Sequence, residues 1–486
     1  MRNVVLFSLL LISISTWSQK AAKPDAYAKL ITAAELKKRL YIVAGPKMEG
    51  RETTTEGQRK AAAYIESEMK KIGLQPGAKG VYQQSFPVYQ DSLLNASLEV
   101  DGKPFVMGTD FGVYFNNSLN TTMAFSEVVF LPSATNPDSI KNANLAGKLV
   151  LLQPDGNAFY RQLQSQGVAA ILWELPAGAR DRLSSRKSQM LNRFKSSLPP
   201  QLVTISTAVA QAILKMAPDS AGKLSGIKIY KADVLLDVKK QTNGEAQSSN
   251  VIGVLPGTDL KDEYLFITAH YDHLGKRGDS TIYYGADDDG SGTVSVITMA
   301  QAFAKAKAAG KGPRRTIVFM TVSGEEKGLW GSEYYGDHPL FPLEKTTADL
   351  NIDMIGRSDS SRKQDTVNYV YVVGDDKLSS DLRPISEAAN NGHTKLDLDY
   401  KFNDPNDKEQ IYYRSDHYNF AKNGVPIIFY YDGMLGADYH RPTDTPDKIN
   451  YDLMAKRAQL VFYTAWEMAN RTAPLKRDRA LPGQRR

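Results

Sequence analysis

The sequence predicts a three-layer α/β/α fold: a mainly parallel mixed sheet with helices on both faces, interrupted by a smaller β-rich insert. Three observations carry that expectation. From about residue 250 to 470 the strands read as nearly continuous apolar runs, "NVIGVL", "YLFITA", "TIVFMTV", "LNIDMI", "YVYVV" and "VPIIFYY", and helical stretches at 292–309, 377–391 and 451–470 alternate with several of them. Strands apolar on both faces suit a parallel sheet buried between two helical layers. Between 96 and 240 the texture changes to short apolar strands and polar loops. Finally, acids and histidines recur at the carboxyl ends of the later strands, where open α/β sheets place their ligand crevice.

Taken in chain order, residues 1–19 open with "MRNVVLFSLLLISISTWSQ", one arginine, an apolar run and then small and polar residues. This reads as a secretory signal peptide cleaved near Ser18–Lys20, with too short an apolar run to span a bilayer. An exported, periplasmic or secreted protein is expected, with no membrane span in the rest of the chain. Residues 20–95 form the first part of the main domain. Within them "GQRKAAAYIESEMKKIGLQPG" is an amphipathic helix with Ala63, Ile65, Met69 and Ile72 on its apolar face, stopped by Gly73 and the Pro76-Gly77 pair. The insert, 96–240, contains "GKLVLLQPDGNAFYRQLQSQGVAAILWEL", which reads as one strand–helix–strand unit. Residues 241–470 complete the main domain. The last segment, 471–486, is basic and reads as a frayed, solvated end.

Charge narrows the function classes. The net +6 holds +5 on 471–486 and +1 on Arg2, so residues 3–470 sum to zero. A nucleic-acid-binding body would need a basic face, and none is implied. With no cysteine among 486 residues, disulfides and thiolate metal sites are excluded. The sequons "NASL", "NNSL" and "NTTM" carry weight only in a eukaryotic host and are set aside.

The remaining chemistry lies at the strand ends. "YLFITAHYDHLG" ends a strand in His270, with Asp272 two residues on, and "GADDDGSG" opens the helix beginning near Gly292. "TIVFMTVSGEEKGLWGS" delivers Glu325 and Glu326, "LNIDMIG" delivers Asp353, and "ADYHRPTDTPD", after "VPIIFYYDG", delivers His440 and Asp444. Of six histidines, His270 and His440 fall at these exits. Each piece alone has a bland reading as a satisfied pair or a solvated turn. The aspartate triplet could suggest a calcium loop, but it lacks the alternating pattern that ends in a glutamate. An Asp within an apolar strand needs a partner, because burying an unpaired carboxylate costs several kcal/mol. Three adjacent aspartates with no neighbouring cation raise the same need: either solvent or a metal supplies the missing positive charge.

As an ordered set, "HYDHLG", "GADDDGSGT", "SGEEKGLWGS", "NIDMIGR", "SDHYNF" and "DYHRPTDT" resemble the co-catalytic di-zinc metallopeptidases of the bacterial leucyl aminopeptidase, aminopeptidase Y and glutamate carboxypeptidase type. The match covers residues 250–470, with a weaker echo in "MEGRETTTEGQRKAAAYI". The insert resembles a protease-associated (PA) domain. The resemblance implies two Zn2+ ions, with Mn2+ or Co2+ as substitutes. One is held by His270 and Asp353, the other by Glu326 and His440, and Asp288 bridges them. In that family the peptide after the bridging aspartate is cis, which would be Asp288–Asp289, leaving Asp287 to face solvent or substrate. Two ions about 3.5–4 Å apart acidify a shared water and polarise the scissile carbonyl. Glu325 would be the general base, Asp272 would orient His270, Asp444 would orient His440, and Tyr412 would hydrogen-bond the oxyanion. His417 would be structural or line the substrate pocket.

The leading expectation is an exported aminopeptidase acting on peptides. A carboxypeptidase of the glutamate type stays open, because Arg161, Arg180, Arg182 and Arg186 in the insert could meet a terminal carboxylate. A glutaminyl cyclase would use one metal, whereas two ligand sets are present. A catalytically dead receptor would have lost a ligand or Glu325, and neither is lost. A two-metal phosphoesterase fits the ion pair, but strand order and the "SGEEKGLWGS" context favour the peptidase.

Overall fold

In the computed structural model the described residues are 23–113, 120–133, 135–154, 159–176, 188–191, 200–216, 226–278 and 280–481. The expected signal peptide and Arg180, Arg182 and Arg186 lie outside them, as does the side chain of Arg161. The chain divides into two compact units, one of Met1–Gln84 with Ser249–Arg486 and one of Ser85–Ser248.

In the first unit a sheet is built from β1 (Leu260–His270), β2 (Arg315–Val322), β3 (Thr346–Ile352), β4 (Tyr369–Val373), β5 (Asp397–Asp399) and β6 (Ile427–Tyr431). Their order is β5-β4-β6-β3-β1-β2, and residues Val251–Leu255 pair antiparallel on the outer side of β2. β1 runs parallel to β2 and β3, and β3 parallel to β6; β4 is antiparallel to β6. Every residue of β2, β3, β4 and β6 is buried, as the continuous apolar runs require. Alternation divides them between two cores. Leu265, Ile267, Ile317 and Phe319 pack on one face with α1 (Glu56–Ile72), α2 (Gly292–Ala308), α3 (Leu382–Ala389) and α4 (Tyr451–Asn470). Phe266, Val318, Met320 and Phe429 pack on the other with Tyr335 and Phe420.

Local signals explain the helices. Thr55 caps α1 by accepting from the Gln58 amide, and Gly73 ends it in the left-handed conformation. Its buried stripe is Ala61, Ala62, Ile65 and Met69. Ala63, expected on that face, is exposed, because positions 58, 61/62, 65 and 69 follow the helical repeat better than a stripe that starts at 63.

The basic C-terminal segment departs from expectation. Instead of fraying, described residues 471–481 are anchored: Leu475 and Leu481 are buried, Arg477 donates to the carbonyls of Leu343 and Thr346, and Asp478 accepts from Ser380. Two spaced leucines supply apolar burial that the charge count concealed, and the arginine meets strand-end carbonyls instead of water.

The second unit has Thr121–Leu131, Leu149–Leu152, Ala170–Glu174 and Gln201–Ile205 paired in parallel, in that order. The expected strand–helix–strand unit is Leu149–Leu152, Tyr160–Ser165 and Ala170–Glu174. Residues Lys228–Val238 pair antiparallel with Thr121–Phe130.

One buried cation in α4 links the sheet to the loops at its end. Arg457, fully buried, donates to the carbonyls of Tyr369 (2.8 Å), Ile355 (2.8 Å) and Arg357 (2.7 Å) and lies 3.7 Å from Asp432. Replacing it with alanine leaves three carbonyls and a buried carboxylate without their partner. Arg457→Ala is expected to lower unfolding free energy by about 3–5 kcal/mol, read by urea denaturation. A loss below about 1 kcal/mol would mean that water replaces the guanidinium there.

Candidate metal centre

The groups singled out in the sequence come together at the carboxyl ends of β1, β2, β3 and β6. His270 is the last residue of β1, Glu325 and Glu326 follow β2, Asp353 follows β3, and His440 lies in the loop after β6. Asp288 lies between them. Its Oδ1 is 3.2 Å from His270 Nε2, and its Oδ2 is 3.2 Å from His440 Nε2. His270 Nε2 is 3.5 Å from Asp353 Oδ1, and His440 Nε2 is 3.0 Å from Glu326 Oε2. One carboxylate therefore touches both groups, each by a different oxygen.

The backbone around Asp288 explains the triplet. The Asp288–Asp289 peptide is cis. Asp444 accepts from the amides of Asp287 (3.1 Å) and Asp288 (3.2 Å). Asp289 accepts from His270 N (3.2 Å), Gly292 N (2.8 Å) and Met354 N (3.1 Å), tying β1, the start of α2 and the exit of β3 to one carboxylate. A Cβ on Gly292 would meet Asp289 Oδ2 at 2.4 Å and Ile352 O at 2.5 Å, so only glycine fits. Asp287, expected to face solvent or substrate, is fully buried and accepts from Gly356 N at 2.7 Å. Burial, then Asp432 and Asp444, push its carboxyl well up. Asp288 alone of the three reaches both histidines.

Two expected roles change, those of Asp444 and Tyr412. Asp444 holds the amides of Asp287 and Asp288 instead of orienting His440, because the turn after His440 carries it beneath the triplet. Burial pushes its carboxyl up to about 6. Tyr412 lies in the apolar core and does not line the pocket that holds Asp288, Glu325 and Asp353. It sits in a single 3-10 turn, Ile411–Tyr413, whose geometry turns its ring inward against Gly374 and leaves Ile411 and Arg414 on the pocket. Tyr431 and Tyr439 line the pocket with Glu325, Asp353 and Met354. Asp272 keeps its expected place beside His270: its backbone carbonyl lies 3.1 Å and its carboxylate 3.6 Å from His270 Nδ1, and the carboxylate also accepts from Glu325 N (3.2 Å) and Thr53 Oγ1 (2.8 Å). His417 is structural: buried, 2.8 Å from Tyr412 O by its Nε2, and pushed down to about 3 by burial.

Two residues were missed in the sequence. Arg51, in the segment before α1, is fully buried and donates to the carbonyls of Tyr271 (2.7 Å), Val43 (3.0 Å), Tyr284 (2.6 Å) and Gly285 (2.9 Å). His273, also fully buried, places Nδ1 2.7 Å from Glu326 Oε1 and 3.8 Å from Asp288 Oδ2. The second histidine of "HYDHLG" was its signal, only three residues after His270 at the same strand exit.

The donor set fits divalent metal ions. His270 Nε2, His273 Nδ1, Asp288 Oδ2 and Glu326 Oε1 are buried without a hydrogen-bond partner, although they crowd together. Two groups, His270/Asp288/Asp353 and His273/Asp288/Glu326, each bring their donor atoms within 4.8 Å of one another. Zinc–ligand lengths of about 2.0–2.1 Å put tetrahedral ligands about 3.3 Å apart, close to the separations around Asp288. The electrostatics agree. Burial works against a charged His440, yet Asp288 and Glu326 push it up to about 10. His270 is likewise pushed well up by Asp353 and Glu325, against its burial. The pocket calls for positive charge, and protons on the imidazoles supply it when nothing else does.

The chain is similar to several known proteins. The model of Peptidase family M28 matches residues 250–465. A probable leucine aminopeptidase of Arthroderma otae is 28% identical over 286 residues, covering 57% of this chain and 71% of that protein. Aminopeptidase YwaD of Bacillus subtilis is 23% identical over 364 residues, covering 68% of this chain and 73% of that protein. Among solved structures, an aminopeptidase from Aneurinibacillus sp. strain AM-1 superposes with a TM-score of 0.58 at 20% identity, covering 94% of this chain and 98% of that one. A zinc aminopeptidase from Bacillus subtilis gives a TM-score of 0.52 at 19% identity, covering 92% and 98%. The two solved structures share the fold. The matched stretch, residues 250–465, is the one whose histidines and carboxylates gather at the strand ends, and over it the chain is similar to Peptidase family M28.

Proposed function

We propose that the protein is an exported two-zinc aminopeptidase that releases N-terminal residues from peptides. The observation that carries this reading is the set of buried donors around Asp288 that lack partners. His270 and Asp353 would hold one ion, Glu326 and His440 the other, with Asp288 shared. When bound, the ions supply the Lewis acidity that polarises the scissile carbonyl and acidifies the attacking water.

The chain's own groups do the rest. Glu325 lines the pocket, with Oε2 4.0 Å from His270 Nε2, and its amide is fixed by Asp272. Burial, opposed by His270 and reinforced by Glu326 and Asp353, pushes its carboxyl well up, which makes it a stronger base. It takes the proton of the attacking water and returns it to the leaving amine nitrogen. Met354, Phe429, Tyr431 and Leu435 give the pocket apolar walls suited to an uncharged side chain. The aminopeptidase names of the relatives support cleavage from the amino end. Residues 1–19 support export, and residues 96–240 are read as PA-like.

Cleavage polarity is tested with a peptide pool, free or acetylated at the amino end, read by mass spectrometry with zinc, with chelator and with Glu325→Gln. Loss of N-terminal residues from free peptides alone is expected, abolished by chelator. Glu325→Gln should lower kcat about 10²–10⁴-fold with metal content unchanged. Trimming from the carboxyl end would overturn the polarity and point to Arg414, a pocket residue able to pair with a terminal carboxylate.

Metal uptake should also be linked to pH. His440, pushed up to about 10 in the metal-free protein, is protonated at pH 8 and must lose that proton to become a ligand. Zinc binding at pH 8 is expected to release at least one proton per protein, and affinity should weaken as pH falls. Calorimetry in buffers of different ionisation enthalpy reads this, and zero proton release would remove His440 from the ligand set.

A further inference from the structure

Beyond the ligands the sequence nominated, His273 has no structural task of its own. It is fully buried, and neither ring nitrogen has a hydrogen-bond partner. Its Nδ1 lies 2.7 Å from Glu326 Oε1, another buried atom without a partner, yet the contact does not have hydrogen-bond geometry. His440 meets the other oxygen of the same carboxylate, Oε2, at 3.0 Å. Glu326 therefore stands between two imidazoles, each facing a different oxygen. Leaving such donors buried and unmatched costs about 1–3 kcal/mol each, so the arrangement calls for a shared cation.

The ring is also held in place. A Cβ on Gly285 would come within 2.5–2.6 Å of the His273 ring, and Gly285 has φ +56°, so this glycine lets the backbone close on the imidazole. The His273 amide donates to Arg51 O at 3.3 Å, and Arg51 is itself locked to the carbonyls of Tyr271, Tyr284 and Gly285. A side chain fixed this way loses little freedom on meeting an ion.

We propose that His273 is a fourth protein donor to the metal position formed by Asp288, Glu326 and His440, closing that position while the His270/Asp288/Asp353 position stays open. This rests on the two-metal reading above and deepens it. Four nitrogen and oxygen donors complete the tetrahedral shell of a retained zinc, whereas three leave a place for water or substrate. The two positions then differ in function: one holds its ion, and the other exchanges it and meets the substrate. Loading is sequential, with the closed position filling first.

The experiment is metal retention by the intact protein, measured as zinc per chain after dialysis against chelators of increasing strength. Cobalt-substituted protein supplies a visible-absorption readout of coordination number. Wild type is expected to hold two ions, lose one to a weak chelator and keep the other. His273→Ala and His273→Gln are expected to lose the retained ion with affinity weakened at least tenfold, and to lose the intense cobalt bands of a four-coordinate site. Melting of the metal-free proteins separates a ligand effect from a folding defect, with His273→Gln as the less disruptive variant. If both variants keep two ions with wild-type retention and spectra, His273 is not a donor and the proposal falls. A wild type that binds no ions would sink the two-metal reading itself, a failure distinct from that of His273.

Discussion

The centre depends on how Asp288 is held. Its carboxylate is the only one of the triplet within 3.2 Å of both His270 and His440, so a small error in its position would separate the two groups. That position is set from behind. Asp444 takes the amides of Asp287 and Asp288, and Asp289 takes amides from β1, α2 and the exit of β3. Three adjacent acids thus divide the work, one facing His270 and His440 and its neighbours bracing the backbone. The bracing acids need no counter-charge of their own, because backbone amides satisfy Asp289 and burial favours the neutral form of Asp287.

Much of this was legible because it follows from simple periodicities. Continuous apolar runs gave a sheet covered on both faces, and the strand ends gave the places where His270, Glu326, Asp353 and His440 had to lie. What could not be read was the direction in which short turns aim a side chain. Tyr412 sits in a single turn between two other plausible pocket residues, and one step of rotation decides which of them faces the cleft. Asp287 and Asp444 were misplaced for the same reason, since consecutive residues of an irregular segment point in different directions. The tail misled by composition: six basic residues concealed Leu475 and Leu481, which bury it.

His273 is a different kind of omission. Its neighbours His270 and Asp272 accounted for the motif, so a second imidazole at the same strand exit needed no explanation until its burial was seen. Buried and unbonded, it demands one, because imidazole nitrogens are rarely left without partners in a packed interior. The pattern of unsatisfied atoms thus carries information about ligands that residue spacing does not.

Arg51 gives the chain an unusual assembly order. It bonds to Tyr271, 220 residues further along, and to Tyr284 and Gly285 beyond that, so the segment before the Ser85–Ser248 unit closes a loop formed long after it. During synthesis the amino-terminal segment must wait for the rest of the chain before its guanidinium finds those carbonyls. Closure of so long a loop is a late, entropically costly event. A fragment cut to the family boundaries at residues 250 and 465 would lack this brace and keep every nominated ligand. The ligand list and the smallest autonomous unit are therefore not the same stretch of chain.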